Sequence, residues 1–179
     1  MIVAHTTPPE QSLQKIDFND MIKQSLENVR HAEGVENMDI QINVTDQNEF
    51  WGNYKLLNIV FNSLISNGVK YRKITGDNSR LQLSVFTDDA KAIIHVEDNG
   101  RGIAPEEIDK VFNLFHRGSQ SDLGGGMGLY MAKEIIEKLG GKITVESALN
   151  VGTAFTFEIP NTTFAQQKNS AGADKKYFG

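Results

Sequence analysis

Hydrophobic positions along this chain switch between a helical and a strand-like rhythm, and the switches mark out its elements. Phe18, Met21, Ile22, Leu26 and Val29 recur at a 3.6-residue period behind Asp17, a residue type that caps free helix amides. Ile40, Ile42 and Val44 then alternate with polar residues, as in a strand with one buried face. Leu56, Leu57, Val60, Leu64 and Ile65 share one face of a longer helix, predicted over about 53–71, and the polar stretch 72–80 reads as a loop. Two strands are predicted at 81–86 and 92–97, joined by a turn at Thr87-Asp88-Asp89-Ala90, and Gly100 and Gly102 break the second. A short helix is expected over 105–115, with Pro105 in its first turn. A glycine-rich loop at 118–128 feeds an amphipathic helix carrying Leu129, Ala132, Ile135, Ile136 and Leu139, which Gly140-Gly141 stops. Strands at 142–147 and 153–159 follow.

Hairpin-linked strands mixed with helices predict an α+β fold. The expectation is a two-layer α/β sandwich, with about three helices on one face of a mixed, roughly five-stranded sheet. The order is not a simple βαβ alternation, which argues against a doubly wound fold. Residues 1–14, with Pro8-Pro9, read as a linker or the remnant of a preceding segment; 15–160 form the body; 161–179 read as a flexible tail or linker.

Composition narrows the function classes. The 179 residues are 39% hydrophobic and 23% charged, enough to bury a core in one domain. A net charge of -5 argues against a bulk nucleic-acid binder. The absence of cysteine excludes disulfides, zinc-thiolate sites and thiol nucleophiles. No apolar run approaches the roughly 18 residues of a membrane span, and MIVAHTTPPEQ lacks the blocks of a signal peptide. The expected location is the cytoplasm, also for a domain of a membrane-anchored protein.

Three polar clusters could carry chemistry. Asn67, Lys70 and Tyr71 end the long helix with Asn67 on a shared face with each of the others; an amide oxygen suits a hard cation, and an ammonium a phosphate. Alone, they read as the solvated polar face that ends an amphipathic helix. Glu97-Asp98-Asn99-Gly100-Arg101-Gly102-Ile103 follows a strand, where a carboxylate can accept from an exocyclic amine and glycines let a ligand near the backbone; an Asn-Gly turn is the plain alternative. Gly124-Gly125-Gly126-Met127-Gly128-Leu129 opens a helix, whose free amides attract phosphate, unless it is only a surface loop. It is neither a P-loop nor a dinucleotide fingerprint.

The order and spacing of the three are more specific than any one. An Asn-bearing helix, then Asp-x-Gly-x-Gly after a strand, then Gly-x-Gly-x-Gly at a helix start, with Gly152-Thr153 before the last strand, resembles the ATPase superfamily shared by histidine kinases, DNA gyrase B, Hsp90 and MutL. The resemblance covers about 15–160. Val111-Phe112-Asn113-Leu114-Phe115-His116-Arg117-Gly118 resembles the two-phenylalanine box of sensor histidine kinases, so the chain looks most like their catalytic ATP-binding domain.

That resemblance implies roles. Asp98 would accept the adenine N6 amine, with Gly100, Gly102 and Ile103 against the base. Asn67 would ligate Mg²⁺, and Lys70 and Tyr71 would contact phosphate or sugar. Gly124, Gly126, Met127, Gly128 and Leu129 would line the phosphate side, with Phe112, Phe115 and Thr153 completing the nucleotide site. Arg117 would neutralise terminal phosphate charge, or is a solvated lid arginine. One position departs: four residues before Asn67 the family usually has a first Asn, and here stands Ser63, with Asn62 rotated about 100° around the helix. Asn62 could substitute in part, or Ser63 could hold a ligand water. Gyrase-type ATPases and anti-sigma kinases carry a glutamate there; Ser63 cannot act as that base, which disfavours rapid hydrolysis or serine phosphorylation.

Of His5, His31, His95 and His116, none is followed by an acidic residue as a phosphoacceptor histidine is, and His95 reads as a strand residue. The expected protein is therefore the ATP-binding half of a larger kinase, monomeric alone. It would act with ATP and Mg²⁺ on a histidine of a phosphoacceptor/dimerisation domain of the same or a partner chain, and serve a response regulator indirectly. In that reading 1–14 are the remnant of the helical phosphoacceptor domain. The alternative is a nucleotide-binding regulatory module, anti-sigma-like or a degenerate kinase, acting through protein contacts.

Overall fold

In the computed structural model, which describes residues 13–73, 79–115 and 126–162, these rhythms resolve into two layers. The described helices are α1 (Phe18–Val29), α2 (Tyr54–Lys70), α3 (Pro105–Ile108) and α4 (Gly128–Lys138). The strands are β1 (Leu13–Lys15), β2 (Asp39–Asp46), β3 (Trp51–Asn53), β4 (Arg80–Thr87), β5 (Lys91–Asp98), β6 (Lys142–Ala148) and β7 (Gly152–Pro160). Asp17 caps α1 by accepting from the Asp20 amide at 2.9 Å, and Asn53 caps α2 through the Leu56 amide at 3.1 Å.

Five strands form a mixed sheet in the order β2-β4-β5-β7-β6; only the β2–β4 pair is parallel. Alternation puts Leu81, Leu83 and Val85 of β4, Ala92, Ile94 and Val96 of β5, and Phe155, Phe157 and Ile159 of β7 in the core. Onto that face pack the buried stripes of α1 (Phe18, Met21, Ile22), α2 (Leu57, Val60, Phe61, Leu64, Ile65) and α4 (Ala132, Ile135, Ile136). Phe61 meets Phe157 edge-on at 5.8 Å and Phe18 at 6.0 Å, tying helices to sheet. Each such fully buried side chain contributes about 1.5–3 kcal/mol through burial alone. The opposite sheet face carries polar pairs beside Phe86 and Ile93: His95 lies 2.8 Å from Thr156 Oγ1, and Glu158 pairs with Lys91 at 2.9 Å and Lys142 at 3.1 Å. Among the described residues no helix is long and apolar enough to cross a membrane.

The expectations need two corrections. The helix over 105–115 stops at Ile108: beyond it Val111, Lys110 and Asn113 donate to carbonyls only three residues back, the tighter bonding of turns, and Phe115 ends the run at φ 61°. Leu13 and Gln14, on the linker side of the expected boundary, belong to β1, which pairs antiparallel with β3. Three residues are too few for a hydrophobic period to register; the strand exists because its partner does. Pro8-Pro9 and His5 lie outside the described residues.

Asn161, at the start of the expected tail, is 4% exposed and fastens this small sheet to the large one. Its Oδ1 accepts from the Trp51 amide at 3.1 Å, its Nδ2 donates to Glu49 O at 2.8 Å, and its own amide donates to Ala90 O at 2.8 Å. Asn161→Ala leaves a part-buried N–H and C=O without their partner, so urea unfolding should show a loss of about 1 kcal/mol. Trp51 fluorescence is the local reporter, and unchanged stability would refute the clamp.

Candidate functional site

Strand β5 ends at Asp98, which lies between Leu81 of β4 and Thr153 of β7 and is only 9% exposed. The chain then turns back, and the Gly100 amide donates to Asp98 Oδ1 at 2.8 Å. Asn99 secures the turn from the other side, accepting from the Arg80 amide at 2.7 Å. A Cβ at Gly100 would collide with Tyr71 O, the carbonyl to which the Arg101 amide donates at 3.0 Å. The loop is thus bound to the end of α2. Gly102 has φ +68° and backs onto Ala148 O, where no side chain fits. The Asn150 amide donates to Arg101 O at 2.7 Å and the Ile103 amide to Ser147 Oγ at 2.9 Å, so the β6–β7 hairpin holds the loop's second side.

Between these supports lies a cavity of about 300 Å³. Of the residues singled out in the sequence, it brings together Asn67, Tyr71, Asp98, Gly102, Ile103, Leu129 and Thr153. Gly100 packs behind the wall. Lys70 does not line the cavity: it is exposed, and its Nζ donates to Tyr71 OH at 3.0 Å. Phe112 stacks edge-on against Phe155 at 6.2 Å, one layer behind the surface. Phe115 is 66% exposed, its amide donating to Gly126 O at 3.1 Å; Gly126, Met127 and Gly128 sit at the start of α4, outside the cavity lining. Arg117, Gly124 and His116 lie outside the described residues.

The wall also contains residues that sequence reasoning missed: Arg101, Ala104, Glu107, Val111, Leu149 and Phe155. Arg101 stands inside the Asp-x-Gly-x-Gly motif, and that place was its only signal. Its guanidinium carbon lies 4.3 Å from the Tyr71 ring centre and Lys70 Nζ 4.7 Å, so the ring touches two cations. Leu149, 55% exposed, and Phe155 join the wall only because the hairpin folds over the loop. Asn62 does not turn toward the cavity; its Oδ1 accepts from Asn28 Nδ2 of α1 at 2.9 Å.

Burial pushes the Asp98 carboxyl up to about 6; hydrogen bonds from the Gly100 and Thr153 backbone pull the other way, and the neighbouring Glu97 charge adds to the rise. At neutral pH the floor of the cavity is therefore a desolvated carboxylate. Apolar walls from Ile103, Val111, Leu129, Leu149 and Phe155 surround it, with the amide of Asn67 and the phenol of Tyr71 also lining the cavity. That combination suits a flat ring that offers an amine edge to Asp98 and a polar tail toward α2.

The family model of histidine kinase-, DNA gyrase B- and HSP90-like ATPases matches residues 52–163. The chain is 31% identical over 148 residues to sensor histidine kinase RppB of Synechocystis sp., covering 80% of this chain and 32% of that protein. It is 40% identical over 109 residues to sensor protein RprX of Bacteroides fragilis, covering 59% and 21%. Among solved structures it matches a mycobacterial sensor histidine kinase, MprB, with a TM-score of 0.69 at 26% identity, over 82% of this chain and 97% of that one. The chain spans a third or less of the length of these two curated relatives.

The raised Asp98 pKa has a consequence for the ligand-free protein. Between about pH 4, where the unfolded carboxyl ionises, and about pH 6 the folded state holds the extra proton, so stability falls as pH rises. Asp98→Asn should remove that dependence and stabilise the ligand-free chain at pH 7.5 by on the order of 1–3 kcal/mol, with little difference at pH 4. Denaturant melts at both pH values check this, and a variant no more stable than wild type at pH 7.5 would refute it.

Proposed function

This chain belongs to the histidine kinase-, DNA gyrase B- and HSP90-like ATPase family, as a catalytic ATP-binding domain of sensor histidine kinase type, and from that premise we propose that it binds Mg-ATP in the Asp98 cavity and phosphorylates a histidine on a separate phosphoacceptor domain. The observation that carries the reading is the buried carboxylate of Asp98 at the floor of a cavity whose wall includes Asn67 and Tyr71.

In this reading Asp98 accepts the adenine N6 amine. A guanine would present a carbonyl there, leaving two acceptors face to face, so the site selects ATP over GTP. Gly100 and Gly102 keep the backbone clear of the base, Ile103, Leu129 and Leu149 cover its faces, and Thr153 closes the edge beside Asp98. Lys70, Tyr71 and Arg101 meet sugar and phosphate at the end of α2. The amides of Gly126, Met127 and Gly128 at the start of α4 face the phosphates. Phe112, packed on Phe155, and Phe115 precede the stretch that carries Arg117 and Gly124, to which the resemblance gives the terminal phosphate.

The donor set fits magnesium: Asn67 offers a hard amide oxygen in the cavity wall and would hold the ion, whose other ligands would come from phosphates and water. Bound there, it would neutralise phosphate charge. Asn67 then orients the phosphate chain while Lys70 and Arg117 hold it in line for attack. In the transfer the bond from the γ-phosphorus to the bridging oxygen breaks, a bond to an imidazole nitrogen forms, the imidazole's N–H proton passes to solvent, and ADP leaves. A response regulator would receive the phosphoryl group afterwards.

Calorimetric titration of a non-hydrolysable ATP analogue, with and without Mg²⁺, tests the pocket. Asp98→Asn should weaken binding at least about tenfold with the fold intact, the scale of a lost hydrogen bond to a charged group, and wild-type affinity should fall as pH drops through about 6 because the protonated carboxyl is a poorer acceptor. Phosphohistidine should appear on an added phosphoacceptor domain. Absence of nucleotide binding by the wild type would refute the reading.

A further inference from the structure

The last turn of α2 carries two of the cavity's polar residues, Asn67 and Tyr71, and the Tyr71 amide closes it by donating to Asn67 O at 2.9 Å. The loop after Asp98 holds this turn from one side, through the Arg101 amide on Tyr71 O. A second hold comes from the next residue along the chain. Arg72 folds back so that its Nη1 donates to Val69 O at 3.1 Å, where a cation also meets the negative end of the helix dipole. Its guanidinium lies against Gly34, in the connection between α1 and β2. A Cβ on Gly34 would stand 2.7 Å from Arg72 Nε and Nη2 and 3.1 Å from Cζ.

Glycine is required at position 34 for two separate reasons. Its φ is +79°, in the left-handed region, and the space a side chain would fill is taken by the guanidinium. The same connection grips the chain again further on: Ser79 Oγ donates to Lys73 O at 3.0 Å, and the Asp39 amide donates to Ser79 O at 2.8 Å. The run from Gly34 to Asp39 therefore braces the exit of α2 through both Arg72 and Ser79. Arg72 itself does not line the cavity. We infer that Arg72 is a positioning residue for the nucleotide site: seated on Gly34, it fixes the last turn of α2 so that Asn67 and Tyr71 stay in the cavity wall. The inference rests on the Mg-ATP reading and adds to it a residue that acts through the turn it holds.

The test titrates the full chain with a non-hydrolysable ATP analogue, with and without Mg²⁺, well below the melting temperature of every variant, alongside melts without ligand. Arg72→Ala should weaken the analogue roughly fivefold, the scale of one hydrogen bond, and reduce the gain that Mg²⁺ gives, because Asn67 sits in the turn that is released. Arg72→Lys keeps a donor for Val69 O and should recover part of the loss. Gly34→Ala keeps the arginine but unseats its guanidinium, so it should reproduce the loss, and adding it to Arg72→Ala should weaken binding no further. A lower melting temperature with unchanged affinity in Arg72→Ala would make the contact merely structural and overturn the role. Full affinity in Gly34→Ala beside a loss in Arg72→Ala would also overturn it, since the charge would then act on the ligand directly; so would losses that multiply in the double variant. Each of these results leaves the nucleotide site standing. Failure of the wild type to bind the analogue would overturn the site itself and the role with it.

Discussion

Asp98 is an acidic side chain held almost out of water at the end of a central strand, and the surrounding elements are arranged to keep it there. Leu81 and Thr153 flank it in register on β4 and β7. The loop after it is bound to the α2 terminus through Tyr71 O and to the β6–β7 hairpin through Ser147 and Asn150. A carboxylate in such a place is poorly solvated, which raises its pKa, and it is stabilised in full only when a ligand supplies a hydrogen-bond donor. The ligand-free fold thus carries a poorly solvated carboxylate at neutral pH, which in the proposed reading an adenine amine would stabilise. Function and stability pull in opposite directions at this one residue.

The two walls of the cavity differ in kind. The floor is sheet: Asp98, Thr153 and Phe155 sit on strands whose inward neighbours are fully buried, so their positions are set by close packing. The opposite side is helix ends and loops, where the terminus of α2 supplies Asn67 and Tyr71 and the first turn of α4 supplies Leu129. In the proposed reading, the rigid sheet floor would read the base and the helix-terminus side would read the charge.

Much of this was legible in the chain. The caps at Asp17 and Asn53, the inward stripes of α1, α2 and α4, and the alternation in β4, β5 and β7 are local patterns that survive folding unchanged. The order of Asn67, Asp98-x-Gly100-x-Gly102 and Gly124-x-Gly126-x-Gly128 carried the resemblance, and the cavity gathers Asn67, Tyr71, Asp98, Gly102, Ile103, Leu129 and Thr153. What misled was length. Residues 105–115 hold enough apolar residues for a helix, yet the run must deliver Phe112 to Phe155 and turn at Phe115, which a continuous helix cannot do.

By itself, the sequence determined the elements, their faces and the chemistry at their ends, because periodicity, capping and glycine placement act over a few residues and need no partner. Only the tertiary structure decided which of those ends meet. Arg101, Leu149 and Phe155 became cavity wall because the hairpin folds over the loop. Leu13–Lys15 became a strand because Trp51–Asn53 lies beside it, and Asn161 became a clamp because two sheets converge on it. Ser63 gained its neighbour Gly128 from a helix that begins 65 residues further along the chain (128 − 63). Contacts between residues so far apart in sequence depend on packing the whole core, and no local pattern encodes them.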